Sequence, residues 1–286
     1  MGGVANTVVY KEEWATKIQE ELDAPLFWKE ICNVEYTNSY VIHNPYITDA
    51  TVQSGTRGTP YTLQALTLTD DYTTINTFKI LPQLIDRADL AQSGFATQML
   101  LAQRQGVLLN EAIESAVLAS YGSMTDFGTE NLSGSAGSSQ ITVSATNIDD
   151  IIRSLKRTIR TAAGESLMNR NGAFIVWRPA DFELLEGFMQ ANGYVTADSA
   201  LRGGAKNGLE YMGVTHYSSN FLTANHVVGG VKKVLHLGIV KDTYGQIMVD
   251  DKDPNGISGI SVVSRVDYAV KVWNKVSTVL FDINVA

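Results

Sequence analysis

Residues 48–78 constrain this chain most. Ten of the thirty-one are Thr, and the stretch holds no Lys and no Glu. Thr is a strand former, and Tyr61, Leu63 and Ala65 alternate with polar neighbours before Leu66 and Leu68 take up the other phase. Gly55 and Gly58 flank Arg57 in a turn-rich stretch, and Asp70-Asp71 reads as a second turn. The pattern predicts one or two long hairpins with little apolar material on one side. A two-stranded ribbon is marginal in water by itself, and this one lacks the Lys and Glu that protect an exposed edge. It therefore calls for a covering layer, from its own domain or from another subunit.

The flanking segments suit an assembling subunit. Residues 8–23 place Tyr10, Trp14, Ile18 and Leu22 every fourth position, an amphipathic helix ended by Pro25. Leu26, Phe27, Trp28 and Ile31 follow as an apolar knot. This arm either folds onto its own core or docks on a neighbour. From Asp89 to about Ser120, Phe95, Met99, Ala102, Gly106, Leu109, Ile113 and Ala116 repeat at spacings of three and four, predicting a long spine helix. Residues 122–139 are rich in Gly and Ser and predict a flexible loop at a domain boundary. A helix is expected from Asn147, with the stripe Ile148, Ile151, Ile152, Leu155 and Ile159 and a stop at Gly164. Next come a buried strand at 172–177 and a helix opened by Pro179. A glycine-rich loop spans 197–208, strands are expected at 212–217, 234–240 and 244–249, and long strands at 260–285. The fold class is α+β.

Composition excludes several functions. A net charge of -8 argues against a general duplex-DNA binder, and the single Cys32 rules out an intrachain disulfide framework. No secretion signal and no run of eighteen apolar residues is present, so synthesis in a cytoplasm is expected. Only 18% of residues are charged, which suits a surface covered by partners. His43, His216, His226 and His236 fit no metalloprotease spacing. Gly164-Glu-Ser-Leu-Met168 lacks the second glycine of a nucleophile elbow. Asp251-x-Asp253-x-Asn255-Gly256 copies half a calcium loop, but Val262 stands where the bidentate carboxylate belongs. Arg153, Lys156, Arg157 and Arg160 share one helix, a solvated face or a contact for nucleic acid if that helix faces a lumen. No catalytic, cofactor or metal site is expected.

The order of elements resembles the tailed-bacteriophage major capsid protein family, with its Hong Kong 97-like fold. The stretches that carry the resemblance are Leu81-Pro-Gln-Leu-Ile-Asp-Arg-Ala-Asp-Leu-Ala-Gln92, Phe174-Ile-Val-Trp-Arg-Pro-Ala-Asp-Phe182, and Tyr211-Met-Gly-Val214 to Ser219-Asn220-Phe221-Leu222. The resemblance implies an N-terminal arm at 1–47, an extended loop at 48–80, a peripheral domain from 81–140 and 250–286, and an axial domain at 141–249. It implies hexamers and pentamers forming an icosahedral shell around double-stranded DNA, in a virion assembled in the host cytoplasm. The implied partners are a separate scaffolding protein, a portal and a decoration protein, with no membrane. Arg202, Gly203, Gly204 and Lys206 would lie at the capsomer centre. Gly55, Arg57, Gly58 and Tyr61 would lie on an adjacent subunit, and Tyr10, Trp14, Ile18, Leu22 and Trp28 would dock the arm. Some members of the family crosslink a loop Lys to a neighbour; no Lys lies between Lys29 and Lys79, so no such crosslink is expected. The alternatives are an encapsulin-like nanocompartment shell, a two-domain soluble hydrolase using Ser166, His216 or His236, and a small adhesion or tail-assembly protein.

Overall fold

The computed structural model describes residues 26–86, 97–191, 208–244, 247–250 and 259–286. Two sheets organise them. The six-stranded sheet is centred on β6 (Ala173–Trp177), whose five residues are all buried. Such an unbroken apolar run is what a strand covered on both faces requires. Beside β6 run β8 (Val214–Ser218), parallel, and β9 (His226–Val231), antiparallel. β7 (Leu209–Tyr211) flanks β8, while β13 (Leu280–Asn284) and then β5 (Thr125–Phe127) extend the other side. Helix α4 (Ile148–Thr161) buries Ile148, Ile151, Ile152, Leu155 and Ile159 in this core, the stripe read from the sequence. Gly230, at φ +151°, brings β9 so close to the chain at Val279 that a Cβ would lie 2.4 Å from the Val279 carbonyl oxygen.

The second sheet runs β1 (Cys32–Thr37), β10 (Leu235–Val240), β12 (Gly259–Val272) and β11 (Ile247–Asp250), with β4 (Thr77–Asp86) lying along β12 for ten residue pairs. The spine, α2 (Thr97–Leu118), crosses this sheet with Leu109, Ile113, Val117 and Leu118 buried. Its 22 residues span about 33 Å. Gln105 fastens it: Nε2 donates to the Val262 carbonyl at 3.2 Å and to Gln83 Oε1 at 2.9 Å, and the Ser264 hydroxyl donates to Gln105 Oε1 at 2.6 Å. A buried amide with all these partners fixes the register of helix on sheet.

Several expectations change. Much of residues 122–139 is regular structure: a 3-10 turn at Ala119–Ser123, β5, and the short helix α3 (Thr129–Ser133), while 134–139 form neither helix nor strand. Gly128 packs so tightly on the Ser138–Ser139 backbone that a Cβ would sit 2.5 Å from the Ser139 nitrogen. Its glycine serves a close approach, not freedom of motion. Gly164 ends no helix alone; it N-caps α5 (Glu165–Asn171), which the sequence reading did not separate. The expected domain limits also differ from the sheets. Segment 250–286 is shared, β12 in one sheet and β13 in the other, and β1 takes part of the expected arm into the five-stranded sheet. The first part of the expected spine and the calcium-like loop lie outside the described residues. Helix α6 (Pro179–Ala191) follows β6 as expected.

Candidate functional site

The ribbon is the feature that stands away from the two sheets. β2 (Val41–Ile47) pairs antiparallel with β3 (Leu68–Thr74), from Val41 opposite Thr74 to Ile47 opposite Leu68. It starts earlier than expected, inside the segment assigned to the arm, and Asp70-Asp71 lies within β3, not in a turn. Residues 48–67 continue beyond it without a ladder. They are held by the Thr48 N–H to the Thr67 carbonyl (3.0 Å) and by Gln64, whose side chain accepts from the Thr51 N–H (2.8 Å) and donates to the Thr51 carbonyl (2.9 Å). The predicted alternation at Tyr61, Leu63 and Ala65 forms no strand with any of the described residues. Gly55, Arg57, Gly58 and Tyr61 fall in the stretch between Thr51 and Gln64, where Gly58 turns the chain at φ +88°.

The root of the ribbon is tied to the body. Ile42 and Ile75 pack with Val240, Ala269 and Trp273 in a small core of their own. Asp71 is buried and accepts from the Asn274 N–H at 2.7 Å and from Lys271 Nζ at 3.1 Å. Two donors compensate a carboxylate taken out of water, so Asp71 is the ribbon's polar anchor. Nearby, His236 is buried against Trp273, its ring 4.9 Å away, with Nε2 3.6 Å from Glu35. Burial holds its pKa below the ordinary value.

The outer ribbon exposes what a folded body buries. Val52 is 97% exposed, Leu63 84% and Tyr61 81%, and Leu66, Leu68, Ile47 and Tyr72 are also exposed. On β4, Phe78, Ile80 and Leu84 are exposed too, and Arg265 lies 5.1 Å over the Phe78 ring. β4 pairs only with β12 among the described residues, leaving its other edge open. A large apolar surface beside an open strand edge marks an interaction site. Arg57 is the lone charged residue between Asp49 and Asp70.

The arm enters by the spine. Glu114 of α2 is fully buried, and its Oε2 accepts from the N–H groups of Phe27 (2.8 Å) and Trp28 (3.2 Å). Its Oε1 has no hydrogen-bond partner. Burial pushes its pKa up to about 7; the two N–H groups pull the other way, and Glu111 adds to the rise. No sequence pattern singled Glu114 out, because it occupies a helix position next to the apolar stripe. Trp28, grouped above with the arm's docking residues, is 2% exposed in the chain's own core, and Phe27 stacks on Tyr217 at 4.6 Å. Phe27, Trp28 and Ile31 of the knot are buried in the chain's own core, while Leu26 is exposed. Tyr10, Trp14, Ile18 and Leu22, and Arg202, Gly203, Gly204 and Lys206, lie outside the described residues.

The residues considered for chemistry have other occupations. Cys32 is buried, and burial raises its thiol pKa far above normal. His216 accepts from Trp177 Nε1 at Nδ1 (2.9 Å), and burial lowers its pKa to about 4. It lies on β8, His236 on β10 of the other sheet, and Ser166 on α5, so the structure does not gather them into one element. The basic set on α4 is engaged internally: Arg153 with Asp149 and Asp150, Lys156 with the Met212 carbonyl, Arg157 with the Asn131 carbonyl, and Arg160 with Glu165. Among the described residues no cluster of three potential ligands could hold a metal, and no helix is long and apolar enough to cross a membrane.

No protein-family model and no curated protein matches the chain. Solved structures do. A structure from Mycobacterium phage Che8 is 18% identical, with 98% of each chain covered and a TM-score of 0.73. The capsid of an empty GTA particle is 12% identical, covers 97% of this chain and 95% of its own, and gives 0.71. A virus-like particle from Pyrococcus furiosus is more distant, at 12% identity, 90% and 91% coverage and 0.51. A likeness over whole chains at such low identity concerns architecture: this protein has the Hong Kong 97-like fold of tailed-phage capsid structures.

Proposed function

We propose that this chain is the major capsid protein of a tailed phage, building hexamers and pentamers of an icosahedral shell around double-stranded DNA. The observation that carries the reading is the ribbon: anchored at its root by Asp71 and Ile42, and exposing Val52, Tyr61, Leu63 and Leu66 beyond it. These side chains gain free energy only when another molecule covers them, and a second copy is the partner present in every shell. The loop bearing Gly55, Arg57, Gly58 and Tyr61 lies across the adjacent subunit. The five-stranded sheet with the spine forms the peripheral domain, and the six-stranded sheet with α4 and α6 the axial domain. The loop holding Arg202, Gly203, Gly204 and Lys206 borders the capsomer centre. A scaffolding protein, a portal and a decoration protein are the further partners, in a virion assembled in the host cytoplasm. The second reading, a nanocompartment shell, draws on the likeness to the Pyrococcus furiosus virus-like particle; the higher scores of the phage and GTA structures favour the first.

The combined variant Val52→Ser, Leu63→Ser, Leu66→Ser tests the ribbon. None of the three belongs to the core, so the subunit is expected to unfold as the unaltered chain does while assembly measured by sedimentation is lost. Equal assembly of both would remove the ribbon from the interface.

A further inference from the structure

We infer that the root of the ribbon is an acid-sensitive hinge: a proton taken up by the buried ring of His236 unseats Ile42 and Ile75 from the five-stranded sheet. Strand register puts the parts on one face. Asn33 of β1 and Lys271 of β12 lie opposite His236 of β10, and Glu35 and Ala269 lie opposite Gly238, two residues on. Ile42 and Ile75 pack on this face with Val240, Ala269 and Trp273. Gly238 makes the notch: a Cβ there would stand 2.5 Å from Ile42 Cδ1 and 3.9 Å from His236 Nε2. The histidine therefore lies directly beside the ribbon's apolar seat. Its side chain is 3% exposed, and neither ring nitrogen has a hydrogen-bond partner among the described residues. A buried polar group without partners costs stability and calls for another role.

The surroundings decide what a proton does there. Glu35 supplies the carboxylate beside the ring, but it stands 3.6 Å from Nε2, beyond hydrogen-bond reach, and is half exposed to water. Lys271, across the strand pair, adds a like charge; its ammonium is held by Asp71 of β3, which also takes the Asn274 N–H. Lys275, on the 3-10 turn after β12, is engaged by Asp49 and the Ile47 carbonyl. The neutral ring leaves one N–H unmatched, whereas the imidazolium leaves two and a charge. Burial accordingly holds the His236 pKa below the ordinary 6.5, with Glu35 pulling the other way. Once the root opens, water reaches the ring and its ordinary affinity for the proton returns. Acid therefore favours the open root. Its population is lowest above pH 6.5 and grows as pH falls, by up to about tenfold per unit for one proton.

Amide exchange followed by mass spectrometry tests this on dilute, unassembled full chain, so the outcome is independent of the shell reading. Peptides covering 40–47, 68–75 and Asn274 report the root, and Ala173–Trp177 of the other sheet is the control. His236→Phe keeps a ring against Trp273 and removes both nitrogens. After correction for intrinsic exchange, root protection in the unaltered chain is expected to fall relative to this variant from about pH 7.5 to about pH 5, by up to about tenfold per unit. His43 and Asp70, an exposed pair on the ribbon, are common to both chains and cancel. Glu35→Gln, at a half-exposed position, should deepen the fall, because it removes the ring's countercharge. It carries the test if His236→Phe loses protection in the control strand. A constant ratio between unaltered chain and His236→Phe would overturn the inference. So would Glu35→Gln matching the unaltered chain at every pH, or root peptides unprotected throughout.

Discussion

Glu114→Gln is expected to remove a pH-dependent strain from the junction of arm and spine. The carboxyl is fully buried and receives two backbone N–H groups, and burial lifts its pKa from 4.5 to about 7. The folded protein holds this proton more tightly than the unfolded chain does. The contribution to stability is therefore greatest below pH 4.5, falls as pH rises towards about 7, and is flat above. At 1.36 kcal/mol per pH unit the span amounts to about 3 kcal/mol. Gln keeps an oxygen facing the Phe27 and Trp28 N–H groups and carries no charge. Urea unfolding of dilute subunits, followed by tryptophan fluorescence, should show the variant gaining about 3 kcal/mol on the unaltered chain between acid and neutral pH. Other titrating groups cancel in that difference. Glu114→Ala should instead lose stability at every pH, because two buried donors are left unpaired, at about 1–3 kcal/mol each. Parallel pH profiles for Glu114→Gln and the unaltered chain would refute the reasoning.

Other sites give sharp expectations. Asp71→Ala strips the partner from Lys271 and from the Asn274 N–H. It should cost about 3 kcal/mol and open residues 41–74 to protease, and an unchanged digestion pattern would contradict the anchor. Gly230→Ala meets both a φ of +151° and the Val279 carbonyl. A loss of about 2–3 kcal/mol is expected, and a melting temperature equal to that of the unaltered chain would contradict that packing. NMR titration of His216 should find a neutral ring from pH 6.5 down to about 4. Over that interval the folded state resists a proton that the unfolded chain accepts, so this histidine's contribution to stability falls as pH falls. A midpoint near 6.5 would contradict its burial.

What was legible from sequence is what periodicity encodes. The α4 stripe, the buried run Ala173–Trp177 and the helix opened by Pro179 follow from local spacing, and the structure has all three. The ribbon was legible as a segment in need of a partner, less so in extent: β2 was assigned to the end of the arm, and only its pairing with β3 defines it. Asp71 looked like a turn residue because its partners, Lys271 and Asn274, are distant in sequence. Glu114 was invisible for the same reason, since its partners are backbone N–H groups in the arm. The Gly/Ser segment misled because composition cannot separate glycine that frees a chain from glycine that admits another strand of backbone, as Gly128 does.

Electron microscopy of the purified full chain, with sedimentation across a range of concentrations and co-expression with a candidate scaffolding protein, tests the central claim most directly. The account predicts closed shells, or curved sheets and tubes built from hexamers and pentamers, which dissolve into small species when Val52, Leu63 and Leu66 become Ser. A single small species at every concentration, unchanged by co-expression, would contradict it.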